Sequence, residues 1–246
     1  MCVLISYRVT READRLWPDV SEVDRGDEQA AFWSTIADKY DRVVDASIGG
    51  KSRAMLRELL AKEGPLGKSV VEFGCGTGFF TETLASKSET LLATDLSRGM
   101  LDLARRRVKA TNVSFQVEDC QQTSLPDNAF DAAFVSLVLH FTEPRRALAE
   151  MHRILRSGGM LIITNLDPLA LTGFDRTRSR LRVLYHGIVD YRVRPPKGFG
   201  RNVLSENRLR ESLVNAGFRV ERCEPVKDRS RSSFIPVEYV CAVKGV

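Results

Sequence analysis

A glycine-rich stretch directly after a short apolar run constrains the fold of this chain more than any other feature. Residues 70–81 read V-V-E-F-G-C-G-T-G-F-F-T, with glycines at positions 74, 76 and 78. Glycine tolerates positive φ and has no Cβ, so glycines at alternate positions let the backbone turn sharply while a ligand lies against it. We therefore predict a strand, a ligand-binding turn and a helix whose first N–H groups face the ligand.

An acidic residue after the next apolar segment supports this prediction. Residues 90–94 favour a strand, and Asp95 follows them, roughly twenty residues after the glycines, where a carboxylate reaches ribose hydroxyls. The layout would also suit NAD, but the NAD fingerprint is G-x-G-x-x-G. Glu72, just before the turn, suits a cationic ligand better than a pyrophosphate, whose negative charge it would repel. We expect a nucleotide-like ligand that carries a positive charge.

Strand and helix signals alternate through the middle of the chain. The predicted strands are residues 69–73, 91–95, 113–117, 131–136 and 160–165, and the predicted helices are residues 79–86, 98–109 and 143–155, the last ended by Gly158 and Gly159. This alternation predicts right-handed βαβ crossovers and a parallel sheet, with the ligand outside the carboxyl ends of the strands. Glu72, Asp95 and Asp119 all fall at such ends or just past them.

The two ends of the chain carry weaker signals. Residues 1–27 lack a sustained period and predict a partly mobile arm or a docking strand. Apolar residues recur at helical spacing from about Glu28, and a second helix is predicted at residues 52–62 after a loop at 47–50. Near the carboxyl end, Ser205 is expected to cap a helix that runs to Asn215, before an antiparallel pair at 218–225 and 236–243.

Length and composition limit the class of protein. A chain of 246 residues that is 43% hydrophobic is long enough for one large α/β domain with a buried core. It has no apolar run of about 18 residues and no signal-peptide layout at its amino terminus, so we expect a cytoplasmic protein. Its five cysteines are scattered, which favours reduced thiols over disulfides or a zinc site. No metal is predicted.

Four motifs resemble one enzyme family. They are E-F-G-C-G-T-G at residues 72–78, A-T-D-L-S at 93–97, V-E-D at 117–119 and H-R-I-L-R-S-G-G at 152–159. They resemble class I S-adenosylmethionine (SAM) methyltransferases, and in particular the methyltransferase type 11 branch with the ubiquinone and menaquinone biosynthesis enzymes. The resemblance covers roughly residues 35 to 165, specifies the cofactor SAM and says little about the substrate.

The resemblance also implies a fold and a division of the chain. The fold is α/β, a Rossmann-like, doubly wound, seven-stranded and mostly parallel sheet with an antiparallel last strand. Residues 1–64 would be an amino-terminal arm and cover helices. Residues 65–246 would be the SAM-binding methyltransferase domain, with a substrate-cap insertion at 168–204.

Particular site residues follow from the same resemblance. Glu72 would interact with the ammonium group of the methionine moiety, directly or through water, Asp95 with both ribose hydroxyls, and Asp119 with the adenine amine. Simple core packing is the alternative for Tyr40 and Met100, and capping of a turn is the alternative for Asp119. The implied SAM-binding residues are Tyr40, Glu72, Gly74, Cys75, Gly76, Thr77, Gly78, Asp95, Leu96, Met100, Asp119, Cys120 and Ser136.

The catalytic candidate is a histidine. Methyl transfer is an in-line displacement for which the protein aligns the reactants, excludes water and, for a hydroxyl nucleophile, removes a proton. His140 follows the fourth strand, in the segment that this class places between SAM and substrate, and its ordinary pKa suits a general base. The alternative is that His140 shapes the pocket without exchanging protons.

The predicted cap is basic and aromatic. Residues 168–204 read as an irregular segment with eight basic residues and only two acidic ones, and its loop at 195–200 would move as a lid. Tyr185, Tyr191 and Arg192 are the predicted substrate contacts, for a substrate that is anionic and partly apolar. A solvated charged face is the alternative.

The sequence thus predicts an enzyme that transfers a methyl group from SAM to oxygen, nitrogen, carbon or sulfur of a small molecule. Methylation of RNA or tRNA on the basic cap, peripheral contact of the cap with anionic lipid, and a non-catalytic SAM-binding module that serves a partner are the alternatives. We do not expect nucleic acid, because no N-P-P-Y-like tetrad follows the fourth strand. The oligomeric state is left open.

Overall fold

The structure is a computed structural model. It describes residues 22–186, 202–226, 228 and 234–245, with the backbone alone for 22–25, 180 and 182–186. The loop predicted at 195–200 lies outside the described residues. Among the described residues, no helix has the length and apolar character needed to cross a membrane.

Helices and strands alternate as the sequence predicts. The helices are α1 (Glu22–Ile36), α2 (Tyr40–Ile48), α3 (Gly50–Lys62), α4 (Thr81–Ala85), α5 (Arg98–Arg107), α6 (Pro144–Ile154), α7 (Gly173–His186) and α8 (Glu206–Asn215). The strands are β1 (Gly67–Phe73), β2 (Ser88–Asp95), β3 (Val113–Val117), β4 (Phe130–Ser136), β5 (Leu155–Leu166), β6 (Phe218–Val226) and β7 (Val237–Lys244). Short 3-10 turns occupy Ala37–Lys39, Leu139–Phe141 and Pro168–Ala170.

The seven strands form one mixed sheet in the order β3-β2-β1-β4-β5-β7-β6. The pairs from β3 to β5 are parallel, and β7 pairs antiparallel with both β5 and β6. The predicted fold class is confirmed. The chain runs outward from β1 through β2 to β3 and then crosses back to β4, on the other side of β1. The sheet therefore has its switch point between β1 and β4, where open α/β sheets bind their ligands.

Apolar residues on alternate positions of the strands cover both faces of the sheet. Val70 and Phe134 belong to one buried cluster, with Leu56 of α3 and Leu84 of α4. The residues next to them in the strands, such as Val71, belong to a second cluster, which includes side chains of α6 and α8. Side chains of a strand point to opposite faces in turn, so helices from both groups bury the sheet between two layers.

The amino-terminal helices pack over the first half of the sheet. The hydroxyls of Ser34 in α1 and Ser97 before α5 lie 2.8 Å apart, and α2 contributes Val44 and Ile48 to the first buried cluster. Helix α7 packs against α2. The division between cover and domain at residues 64 and 65 stays a prediction.

The prediction that Gly158 and Gly159 end a helix is wrong. Helix α6 ends at Ile154, and β5 begins at once with Leu155. Leu155 pairs with Phe130, whereas Ala132 pairs with Met160, so β5 carries extra residues across this irregularity. Gly158 has φ +75°, which a bulge needs and which only glycine adopts at low cost.

Three further boundaries differ from the predictions. Helix α1 already begins at Glu22, inside the stretch predicted as an arm. The predicted loop at 47–50 reduces to Gly49, whose φ of +87° separates α2 from α3. The predicted irregular segment at 168–204 contains α7, because this stretch packs against α2 and buries Ser179.

Candidate functional site

The turns that follow β1 and β4 meet at the switch point of the sheet. A Cβ placed on Gly74 would lie 2.3 Å from Cγ2 of Val138, which follows β4. Only glycine allows this approach, and the φ of +62° at Gly74 needs glycine as well. The glycine thus joins the two central turns closely, on the edge of the sheet where a ligand is expected.

The glycine turn is tied to β2 by backbone hydrogen bonds. Gly76 and Gly78 have φ of +55° and +80°, so all three predicted glycines adopt the left-handed region. The N–H of Cys75 donates to the carbonyl oxygen of Thr94 at 2.8 Å. Helix α4 starts later than predicted, at Thr81, so the turn extends through Phe80.

Asp95 is held rigidly at the end of β2. Its Oδ2 accepts the N–H of Gly76 and its Oδ1 the N–H of Ser97, both at 2.9 Å. Burial raises the pKa of Asp95 to about 6, although these backbone donors act in the opposite direction. The backbone of Leu96 is a third donor to this carboxylate, so the carboxylate is oriented and still has acceptor capacity for a ligand hydroxyl.

Glu72 is the most unusual charged group of the site. Its side chain is 2% exposed, and Thr81 donates its hydroxyl to Oε2 at 2.6 Å. The carboxylate accepts no other hydrogen bond within the described part of the chain. Burial raises the pKa of Glu72 to about 8, and the negative charge of Asp95 adds to the shift. A cation bound nearby would favour the charged form, which is the arrangement that a ligand with an ammonium group requires.

Tyr40 covers the glycine turn from α2. Its ring carbon Cε1 lies 3.3 Å from the point where Gly76 would carry a Cβ. Burial raises the pKa of its phenol to about 12, so Tyr40 is neutral at physiological pH. Cys75 and Thr77 are both buried in the same turn. These positions agree with a lining role and leave the SAM contacts as predictions.

The residues predicted around adenine form a more ordinary environment. Oδ1 of Asp119 accepts the N–H of Gln121 at 2.9 Å, which is the turn-capping alternative. Met100 is 2% exposed in the core, and Cys120 is also buried. Leu96 is part-buried next to Asp95. Adenine binding by these four residues stays a prediction.

The segment after β4 holds the catalytic candidate. Ser136 and Thr164 at the ends of β4 and β5 place their hydroxyls 2.8 Å apart. Leu137 follows with φ +55°, a conformation that costs a non-glycine residue about 1 kcal/mol or more. The positive φ at Leu137 turns the chain between the end of β4 and the short 3-10 turn that contains His140.

The side chain of His140 is buried and has no polar partner among the described residues. His140 is 7% exposed, and its ring packs against the ring of Phe141 with 3.8 Å between the two centroids. Burial lowers the pKa of His140 to about 3. The imidazole is therefore neutral at pH 7 and a weak proton acceptor, which counts against the general-base role and favours the pocket-shaping alternative.

The structure describes no side chain of the three predicted substrate contacts. Tyr185 is in α7 with only its backbone described, and Tyr191 and Arg192 lie outside the described residues. Sequence reasoning missed the roles of Thr81 and Leu137. A hydroxyl nine residues after an acidic strand end is the only signal for Thr81, and nothing local indicates a positive φ at Leu137.

Comparison with known proteins explains this arrangement. Residues 71–163 match the model of a family described as a methyltransferase domain. This match covers 93 of the 246 residues. A methyltransferase domain that spans the glycine turn, Asp95, Asp119 and His140 confirms the resemblance to class I SAM-dependent methyltransferases.

Similarity to two relatives extends beyond residues 71–163. A demethylmenaquinone methyltransferase of Paenarthrobacter aurescens is 36% identical over 145 residues, 58% of this chain and 56% of that protein. The chain thus matches little more than half of that relative. A malonyl-[acyl-carrier protein] O-methyltransferase of Paenibacillus sp. is 27% identical and covers 89% of this chain and 80% of its own length.

A solved structure supports the fold. An S-adenosylmethionine dependent methyltransferase from Mesorhizobium loti superposes with a TM-score of 0.61 at 21% identity. The superposition covers 79% of this chain and 99% of the other. The seven-stranded sheet therefore has the same fold as that solved structure.

Proposed function

We propose that this protein is an enzyme that transfers a methyl group from SAM to a small molecule. The observation that carries the proposal is the buried carboxyl group of Glu72, for which the described part of the chain supplies no cationic partner, beside a glycine turn and the oriented carboxylate of Asp95. SAM combines an ammonium group with ribose hydroxyls, and the two carboxylates match these groups. The methyltransferase domain and the named relatives support the same reaction.

The residues present fit SAM by their chemistry. Glu72 would hold the ammonium group and thereby become charged, while the oriented carboxylate of Asp95 would accept ribose hydroxyls. The glycine turn lets the ligand approach the backbone closely, and Tyr40 closes it against water. When bound, SAM supplies a methyl group already activated by the positive sulfur.

The protein's part in the chemical step is alignment more than proton removal. A neutral, buried His140 offers a hydrogen bond to an acceptor group and excludes water beside it, but it is too weak a base to ionise an ordinary hydroxyl. We therefore infer that the acceptor is either nucleophilic as bound or loses its proton without help from His140. The two named relatives act on different acceptors, so the acceptor atom stays open.

Exposed apolar side chains favour a second candidate property, peripheral contact with lipid. Phe174 and Leu181 of α7 are 74% and 59% exposed, and Leu169 just before the helix is 48% exposed. These residues lie in the segment with the excess of basic residues. An anionic, partly apolar substrate and an anionic lipid surface both suit this composition. The cytoplasmic location stays a prediction.

Calorimetry with SAM and with its demethylated product tests the proposal, using a matched pair of variants. Asp95→Ala should weaken binding of both compounds at least tenfold, because a charge-assisted hydrogen bond contributes about 1.5 to 3 kcal/mol. The control is Asp131→Ala. Asp131 also accepts two backbone N–H groups, from Lys68 and Ser69 at 2.7 and 2.9 Å, but at the opposite end of β1.

Two outcomes would contradict the proposal. The first is a wild-type protein that binds neither SAM nor its product. The second is an Asp95→Ala protein that binds within about twofold of wild type while Asp131→Ala is equally mild. Transfer of an isotopic methyl group from SAM into a cell extract, with the product identified by mass, would then name the acceptor.

A further inference from the structure

One aspartate joins the cover helices to the glycine turn. Asp41 lies in the first turn of α2. Its Oδ1 accepts the hydroxyl of Thr77 at 2.9 Å, and Thr77 stands between the second and third glycines of the turn. Because Thr77 is only 6% exposed, this bond ties the centre of the turn to the cover.

Two arginines complete the same cluster. Arg53 of α3 forms an ion pair with Oδ1 of Asp41, and its side chain is only 7% exposed. Arg107, at the end of α5, donates from Nη1 to Oδ2 of Asp41 at 2.9 Å and to the hydroxyl of Thr77 at 3.1 Å. Asp41 therefore connects α2, α3, α5 and the glycine turn at one point.

The cluster also contacts Phe79, near the end of the turn. The guanidinium of Arg53 lies 3.8 Å from the ring centroid of Phe79, and that of Arg107 lies 5.7 Å from it. Arginine over an aromatic face adds attraction without needing a fixed hydrogen-bond direction. Arg57 of α3 also lies over this ring, at 5.0 Å. The turn from Thr77 to Phe79 is thus held through the Thr77 hydroxyl and through cations over the Phe79 ring.

The electrostatics favour a charged Asp41. Partial burial acts to raise the pKa of Asp41. The hydrogen bond and charge of Arg53 act in the opposite direction, together with the Thr77 hydroxyl and the charge of Arg107. The pKa of Asp41 is therefore lower than its ordinary value. The side chain of Asp41 is 37% exposed, so solvent screens part of the attraction. The cluster acts mainly by fixing positions, because Arg53, Thr77 and Arg107 donate to the two carboxylate oxygens of Asp41 from three different segments of the chain.

Tyr40 makes this geometry relevant to the cofactor. It precedes Asp41 in α2, and its ring lies against Gly76 on the same turn. Asp41 thus fixes both the turn, through Thr77, and the position of the aromatic ring above it.

We propose that Asp41 is a positioning residue that couples the closed cover helices to the ligand-binding conformation of the glycine turn. Asp41 itself touches no reacting group. Without it the turn and the cover would each sample other conformations, so binding of the cofactor would have to restore the arrangement and affinity would fall. The inference rests on the proposed function, because it gives the cluster a role in holding SAM.

The test combines two variants, their double variant and a control. Asp41→Asn removes the charge at nearly constant size, and Thr77→Val removes only the hydroxyl. Asp45→Asn is the control, since the Asp45 carboxylate also contacts Arg53, at 3.4 Å, but takes no part in the bonds to Thr77. The demethylated product of SAM is the probe in calorimetry, and methyl transfer gives KM for SAM and kcat.

We expect Asp41→Asn and Thr77→Val each to weaken binding of the product about fivefold to tenfold, and Asp45→Asn to stay within about twofold. The double variant should be no weaker than the worse single one, because both remove the same coupling. KM for SAM should rise while kcat changes little, as expected when a ground-state contact is lost. Effects of the two single variants that multiply in the double variant would overturn the proposal, as would an Asp41→Asn affinity within twofold of wild type.

Hydrogen exchange of the apo protein separates this inference from the proposed function. Asp41→Asn should increase exchange at residues 74–80 by about threefold or more, and Asp45→Asn should not. If the wild-type protein binds no SAM, the proposed function fails, and exchange alone decides about the coupling. Unchanged exchange in the turn would then reject the coupling too.

Discussion

At the scale of single residues, the site contains features that stability alone does not explain. Glu72 and Asp95 are buried carboxylates whose pKa values burial raises to about 8 and about 6. Leu137 has a backbone conformation that ordinary residues avoid. Buried carboxyl groups without a cationic partner and strained backbone both cost free energy. Their concentration at one edge of the sheet is typical of a binding site.

Glu72 leads to a prediction about pH. Between its ordinary pKa of 4.5 and about 8, the native apo protein retains a proton that the unfolded chain releases. The free energy of unfolding contributed by this group is therefore fully present below pH 4.5 and is lost as pH rises toward 8. Glu72→Gln should be more stable than wild type at pH 8, by about 1 to 3 kcal/mol, and nearly equal to it at pH 4.5. Denaturant unfolding measures both.

The same change should abolish the pH dependence of binding. In the wild-type protein, affinity for SAM should rise from pH 6 to pH 8, with release of a proton on binding, because the ligand favours the charged carboxylate. Glu238→Gln is the control, since Glu238 is also buried and its pKa is raised to about 7, but it lies on β7 and bonds Asn165. Calorimetry in buffers of different ionisation enthalpy that detects no proton release by wild type would sink this prediction.

At the scale of elements, the glycine turn depends on a contact between neighbouring turns. Gly74 leaves the space that Val138 fills, whereas no described atom lies within 4 Å of the point where Gly158, in the bulge of β5, would carry a Cβ. Both have positive φ, +62° and +75°. Both positions therefore favour glycine because of their backbone conformation, and Gly74 also requires it because a Cβ would clash with Val138.

Alanine at these two glycines separates the two demands. Gly158→Ala should lower the free energy of unfolding by about 1 to 2 kcal/mol, the cost of the left-handed conformation, and leave SAM affinity unchanged. Gly74→Ala should cost more, because Val138 cannot yield without moving the turn after β4, and it should weaken SAM binding at least about tenfold. Equal stability losses with equal affinities would mean that the two turns do not depend on their contact.

At the scale of the whole molecule, charge and exposed apolar surface are unevenly distributed. The net charge is +5, and residues 168–204 carry eight basic and two acidic residues. Phe174, Arg178 and Leu181 recur on one exposed stripe of α7, at the spacing that usually marks a buried helix face. A basic, apolar stripe on the surface suits an anionic bilayer.

Sedimentation with vesicles tests this surface. Wild-type protein should sediment with vesicles rich in phosphatidylserine and should be released by high salt, because screening removes the attraction of the basic residues. The double variant Phe174→Ser and Leu181→Ser should lose most of this binding. The control is Val214→Ser, since Val214 is 62% exposed on α8. Binding that is equal for all three proteins, or absent in wild type, would exclude lipid contact through α7.

Local signals were sufficient for the framework of this molecule. The alternation of strands and helices, the positive φ of three glycines and the place of Asp95 after β2 depend on hydrophobic period and backbone sterics, which neighbouring residues encode. The sequence places the end of α6 within about one residue but assigns Gly158 and Gly159 to that helix end, whereas they lie in β5. The assignment is wrong because a bulge and a helix end both favour glycine. Helix α7 was missed because its packing against α2 is a tertiary contact.

The sequence by itself determined the fold class, the methyltransferase domain and the set of polar residues at the carboxyl edge of the sheet. Only the tertiary structure decided their chemical state. It left Glu72 without a second hydrogen bond from the described chain, lowered the pKa of His140 by burial and brought Asp41 to Thr77 across 36 positions of sequence. The physical reason is that periodicity and turn propensity are local, whereas burial and charge pairing depend on which distant residues the fold brings together.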